Sequence, residues 1–207
     1  MRTNLTMAFI LISATTIFYG CEGNEQETKT ATETDTTVIV DEQLAVNYAE
    51  LGKEIAMQTK ANLGKNLGLA LSEKGAVGAV EFCNTRAIPI TDSMSVVLNT
   101  KVKRVSDKPR NPSNQANADE LAYIESWKTA KAKGEQVAPL IAERNSKMVG
   151  YYPIETNAMC LQCHGTPEKQ VAPETLSKIK KLYPSDKAVG YGENEIRGIF
   201  VVEMDKK

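Results

Sequence analysis

Apolar residues recur at three- and four-residue steps from Val40 through Leu44, Tyr48, Leu51 and Ile55, and Leu63, Leu67 and Leu71 carry the stripe on. That period is the signature of a helix with one buried face, so the pattern predicts a long N-terminal helix, bent near Gly64 and Gly68. A second helical segment runs through Val77, Val80 and Phe82 past Cys83, and Ile88-Pro89 marks a break before a further piece from Met94 to Leu98. Lys101 to Val105 alternates like a strand, and the turn-rich run from Asp107 to Asn114 reads as a loop. Asn117 is placed to cap a helix from Ala118 to about Lys133, which Gly134 ends.

Beyond that helix the period changes to two. Pro139 to Glu143 and Met148 to Ile154, separated by Asn145-Ser146, predict a hairpin. A short helix from Pro173 to Leu182 follows, and the last strand runs from Ile196 to Met204, with Ile196, Gly198, Phe200, Val202 and Met204 expected on one face. Helices first and antiparallel strands later imply an α+β fold with an antiparallel sheet, not an all-helical bundle.

The N-terminus divides the chain further. Arg2, then an apolar run from Met7 to Phe18, then Gly20-Cys21 reads as a signal peptide over residues 1–20. It is too short to read as a membrane span. Gly20-Cys21 suggests a bacterial lipoprotein with a lipid on Cys21, although Phe18 and Tyr19 depart from the usual residues there. Residues 21–40, rich in Thr and acids, read as a flexible tether, and 41–207 as one domain. The expected location is the periplasm or outer cell surface, held to the membrane through that lipid. A net charge of −1 gives no footprint for nucleic acid.

The chemistry concentrates at Cys160-Leu161-Gln162-Cys163-His164. Two thiols three residues apart followed by an imidazole form the attachment signature of haem c, in which the sulfurs add to the haem vinyl groups and the imidazole reaches the iron. His164 is the only histidine in the chain, and it falls inside this motif. A thioredoxin-like dithiol fits less well, because Gly165-Thr166-Pro167 ends a helix where that motif would begin one. A zinc site of Cys83, Cys160, Cys163 and His164 lacks the second spaced pair of ligands. A Cys160–Cys163 disulfide would close a small, strained loop.

With no second histidine, the opposite axial position falls to a Cys thiolate, a Met, a weaker ligand or nothing. Cys83 has no partner for an internal disulfide if Cys21 is acylated and Cys160 and Cys163 hold haem; a small buried apolar role explains it equally well. Met148 and Met159 are rival sulfur ligands. Arg104 and Arg110, which bracket the turn-rich loop, are candidates for the haem propionates, with a solvated basic surface as the alternative. Tyr151 and Tyr191 are weaker candidates for packing on the ring edge.

Several separated stretches resemble a known family: Ala79-Val80-Glu81-Phe82-Cys83-Asn84, then Val102-Lys103-Arg104-Val105-Ser106 with Arg110-Asn111-Pro112 and Asn114, then Cys160 to Gly165, and finally Tyr183-Pro184, Asp186, Ala188, Gly190-Tyr191 and Arg197-Gly198. They are similar to exported c-type haem proteins with a PAS-like fold, also found as sensory ectodomains of bacterial histidine kinases. The resemblance covers about residues 41–207. It implies a PAS-like antiparallel sheet with a long N-terminal helix and flanking helices around one covalently attached haem c, and it implies Cys83 as the second axial ligand. The function expected is that of a monohaem c-type cytochrome, either an electron carrier of low potential or a redox or gas sensor, working with an unidentified redox or signalling protein. The alternative is a haem enzyme, a peroxidase or small-oxyanion reductase with an open distal site. The lack of a second His as distal base argues against an enzyme.

Overall fold

The computed structural model describes residues 46–207. The expected signal peptide, lipid site at Cys21 and tether, and Val40 and Leu44 at the start of the apolar stripe, lie outside the described residues.

Helix α1 spans Tyr48–Val97 and is two arms joined at Gly75, whose φ of 63° and ψ of −174° are not helical. The hinge is therefore neither Gly64 nor Gly68, both of which stay helical. Of the three glycines, only Gly75 takes a conformation in the left-handed region that a side chain resists. The arms fold back on each other, with Asn62 Nδ2 3.0 Å from Met94 Sδ. The expected break at Ile88-Pro89 is also corrected, since the helix runs through Pro89 to Val97. This stretch is fastened from outside as well as by its own ladder: Ala87 O accepts from Arg104 Nη2 at 3.3 Å and from Thr91 Oγ1 at 2.9 Å.

The strands β1 (Lys101–Val105), β2 (Leu140–Arg144), β3 (Lys147–Glu155) and β4 (Ile196–Asp205) form one antiparallel sheet in the order β1-β4-β3-β2. Asn145 and Ser146, at φ of 50° and 61°, make the tight hairpin turn that the sequence predicts. Helix α2 (Ala118–Ala132) starts on a capping box in which Asn117 and Glu120 each bond the other's backbone N–H. The short helix α3 (Ala158–His164) carries the cysteine motif, and α4 (Pro173–Leu182) follows. The fold is thus α+β with a long N-terminal helix and flanking helices. Among the described residues no helix is long and apolar enough to cross a membrane.

Both sheet faces are covered. On one, Ile124 and Trp127 of α2 pack on Val149, Tyr151, Ile199 and Val201. On the other, Ile55 and Ala56 of α1 pack on Val102, Tyr152, Phe200, Val202 and Met204. The expectation of a single apolar face on β4 fails because the register slips between Ile154 and Glu155, where Ile154 pairs with Gly198 and Glu155 with Ile196. Arg197 is left over as the bulged residue, and Ile196 turns to the α2 side with Ile199 and Val201.

The seam between α1 and the sheet is tight at Gly52. A Cβ there would stand 2.2 Å from Tyr152 Oη and 3.0 Å from Met204 Cε. Tyr152 Oη itself donates to Ala49 O at 3.1 Å. Gly52→Ala should therefore destabilise the fold by about 1–3 kcal/mol, as overpacking does, read as a lower midpoint in urea unfolding. An unchanged midpoint would mean that α1 slides on the sheet.

Candidate functional site

Asn157 opens α3 by accepting from Cys160 N–H at 3.2 Å, which sets Cys160 and Cys163 one turn apart. The helix ends where Gly165 N–H donates to Leu161 O at 2.9 Å. Nothing but glycine fits at that end: an added Cβ would lie 2.6 Å from Leu161 O and 2.7 Å from the Gln170 side chain.

A strap from Asp186 to Tyr191 runs back along this end of α3. Tyr191 N–H donates to His164 O and Gly190 N–H to Gly165 O, each at 2.9 Å, with Gly190 at a φ of 83° that permits the turn. Ala188 O lies 2.7 Å from His164 Nδ1. A carbonyl can only accept, so Nδ1 carries the hydrogen, and Nε2 is left with its lone pair. Arg197 Nε, 3.4 Å from the same Nδ1, then faces an N–H and makes no hydrogen bond to it. Burial, reinforced by the charges of Arg110 and Arg197, holds the imidazole well below its ordinary pKa, so it is neutral in neutral water.

Arg110 ties the strap to the motif. It reaches Asp186 through Nε at 3.1 Å and Nη2 at 3.3 Å, and the same Nη2 donates to Cys163 O at 2.6 Å and Ala188 O at 3.1 Å. Asp186 Oδ1 also accepts from Ala188 N–H at 2.9 Å. Arg110, expected to meet a propionate, has Asp186 as its carboxylate partner and holds the carbonyl that orients His164.

Cys83 faces the motif from the second arm of α1. Val80, one turn before it, packs with Val171, Leu176, Ile179 and Tyr183, and Cys163 packs against the same cluster. Burial and the nearby Cys163 thiol push the Cys83 pKa up, while Arg104 and Arg110 pull it down. Arg104 lies on the Cys83 side, with Nε on Thr91 Oγ1 at 3.3 Å and Nη2 on Ala87 O, one turn beyond the cysteine. The structure thus brings Cys83, Cys163, His164, Arg104 and Arg110 into one neighbourhood, with Cys160 half-buried a turn before Cys163.

Other candidates separate from it. Met148 pairs with Met204 at the far end of β3, and Met159 is exposed. Tyr151 is corrected to the α2 face of the sheet, where its ring centre lies 4.6 Å from that of Tyr123 with the two planes tilted by 47°. Tyr191 does reach the site, edge-on to His164 with ring centres 6.4 Å apart. Its hydroxyl is buried near Ser106 without a hydrogen bond of good geometry. Among the described residues, no group of three or more His, Cys, Asp and Glu side chains is placed to hold a bare metal ion.

Arg197 is the site residue that sequence reading passes over. The bulge turns it out of an apolar strand, so that Nη1 donates to Ser106 Oγ at 2.9 Å and the guanidinium sits 5.5 Å from the Tyr191 ring. The signal was a charge inside Ile196-Arg197-Gly198-Ile199, a run otherwise fit only for burial.

The donor set fits a c-type haem. Two thiols lie one helical turn apart, a neutral imidazole has its tautomer set by a backbone carbonyl, and a third thiol approaches from another helix.

Residues 24–204 match the family described as Tll0287-like. Among solved structures, the chain is similar to the cyanobacterial heme-protein Tll0287, with 21% identity over 78% of this chain and 98% of that one and a TM-score of 0.54. At that identity the likeness speaks for the fold. No curated protein matches.

Proposed function

The chain belongs to the Tll0287-like family, and from that premise we propose that it is an exported monohaem c-type cytochrome serving low-potential electron transfer or redox and gas sensing, not an enzyme. Cys160 and Cys163 would form the two thioether links, with His164 Nε2 as one axial ligand and Cys83 as the other. The observation that carries the reading is the 2.7 Å contact between His164 Nδ1 and Ala188 O. It fixes the tautomer that a metal-binding imidazole needs and strengthens the donor, a purpose that a dithiol or a disulfide would not require. The description of the solved relative as a heme-protein supports the same reading.

When bound, the group supplies one-electron chemistry at iron, with a potential set by its ligands and surroundings. The chain's own residues do the rest. Asn157 and Gly165 hold the thiols at the required spacing, the Arg110–Asp186 pair holds Ala188 O against the imidazole, and Arg104 places a positive charge beside Cys83. The apolar N-terminal run and Gly20-Cys21 support a lipid tether in an exported setting, where a protein partner would exchange electrons or read the ligand state.

The full chain, produced in an exporting host that has haem c maturation enzymes, should carry one haem that resists acid–acetone extraction. Its pyridine haemochrome should be that of two thioethers, and Cys160→Ala or Cys163→Ala should each remove one link by mass. Extractable haem, or two links persisting in either variant, would overturn the assignment.

A further inference from the structure

Two guanidinium groups at this site have no carboxylate partner. Arg110 is bound to Asp186 and Arg144 to Asp119, but among the described residues no ion pair includes Arg104 or Arg197. Both are largely covered, and burial pushes both below the ordinary arginine pKa, Arg104 more than the nearby Cys83 offsets and Arg197 more than Tyr191 offsets. A covered charge with no counter-ion is costly unless something anionic meets it.

Their donors are only partly used. Arg104 spends Nε on Thr91 and Nη2 on Ala87 O, which leaves Nη1; Arg197 spends Nη1 on Ser106 and directs Nε at His164, which leaves Nη2. The buried side-chain nitrogens and oxygens that lack a partner include Tyr191 Oη and neither of these atoms, so the free Nη groups remain open to a ligand. The two are fastened at different places in the site. Arg104 is fastened one turn from Cys83, and Arg197 stands beside the imidazole of His164.

We propose that Arg104 and Arg197, rather than Arg104 and Arg110, receive the two propionate carboxylates of the porphyrin, one from the Cys83 side and one from the His164 side. This rests on the haem c reading above. A planar guanidinium with a free Nη matches a carboxylate oxygen in geometry as well as charge. The bulge in β4 then has a purpose: it turns one arginine out of an apolar strand and into the site.

The test uses the full haem-loaded protein with Arg104→Gln, Arg197→Gln, and Arg144→Gln as the control. In the first two, the propionate bending bands in resonance Raman spectra should shift and the midpoint potential should fall, because a cation that disfavours ferric iron is lost. The control should match wild type. Arg104→Lys and Arg197→Lys should shift the Raman bands while keeping most of the potential, which separates lost geometry from lost charge and stands in if a Gln variant fails to fold. Unchanged propionate bands in either arginine's variants overturn the proposal. So does a phosphate- or bicarbonate-induced shift of the wild-type spectrum that Arg197→Gln abolishes, since the pair would then hold a free oxyanion. The absence of covalent haem from wild type would instead sink the haem c reading, and the two failures are distinguished by mass before any Raman measurement.

Discussion

Cys83→Ala should replace the ferric optical and EPR spectra of the haem-loaded protein with those of a five-coordinate or water-ligated iron, and should raise its midpoint potential. A thiolate donates electron density and stabilises the ferric state, so its removal favours the ferrous one. The setting of Cys83 suits this role. Burial beside Cys163 makes the free thiol hold its proton, whereas Arg104 and Arg110 favour the anion that a metal would take. A small apolar residue placed only for packing would leave both spectra as they are on conversion to alanine, and that result would remove Cys83 from the ligand set. Reduction of the wild-type protein under CO adds a second reading of the same residue. If CO binds, Cys83 leaves ferrous iron and sensing is favoured; if the iron stays closed in both states, electron transfer is favoured.

Asp186→Asn should lower stability by about 3–5 kcal/mol, the cost of breaking a buried ion pair by removing one charge. Asp186 and Arg110 keep only 9% and 11% of their side-chain surface exposed, so solvent does little to screen the loss. The consequence reaches the site, because Arg110 shares Ala188 O with His164, and Asp186 holds the N–H of that same residue. Urea unfolding should show the lost stability, and the yield of haem-attached protein should fall with it. Arg110→Gln should do the same. If either variant unfolds at the wild-type midpoint, the pair is not the clamp described above.

Much of this was legible in the residues. The two-residue turn at Asn145-Ser146, the cap at Asn117 and the cysteine motif are local, each fixed by the chemistry of a few neighbouring side chains. What escaped depends on distant partners. Gly75, not Gly64 or Gly68, is the hinge because of how the two arms meet, as Asn62 does Met94. Pro89 does not end the helix: the carbonyl its missing N–H leaves open is that of Thr85, an exposed residue, and the same arm is held from β1 by Arg104 on Ala87 O. Neither the partner of Arg110 nor the direction of Arg197 shows in sequence: Asp186 claims the one, and a slipped strand register turns the other towards His164. Tyr151 is a residue of β3 whose face is set by strand pairing, and it faces α2.

The position of β4 bears on how the molecule is made. It is the inner strand joining β1 to β3, yet it follows every other element in the chain. Until it arrives, β1 has no neighbour in the sheet and Arg197 is not in place. A chain made in sequence order therefore exposes Cys160 and Cys163 before the sheet can close. On the proposed haem c reading, maturation enzymes would meet the motif on an open polypeptide, and the slow, long-range pairing of β1 with β4 would follow as the step that shuts the cofactor in.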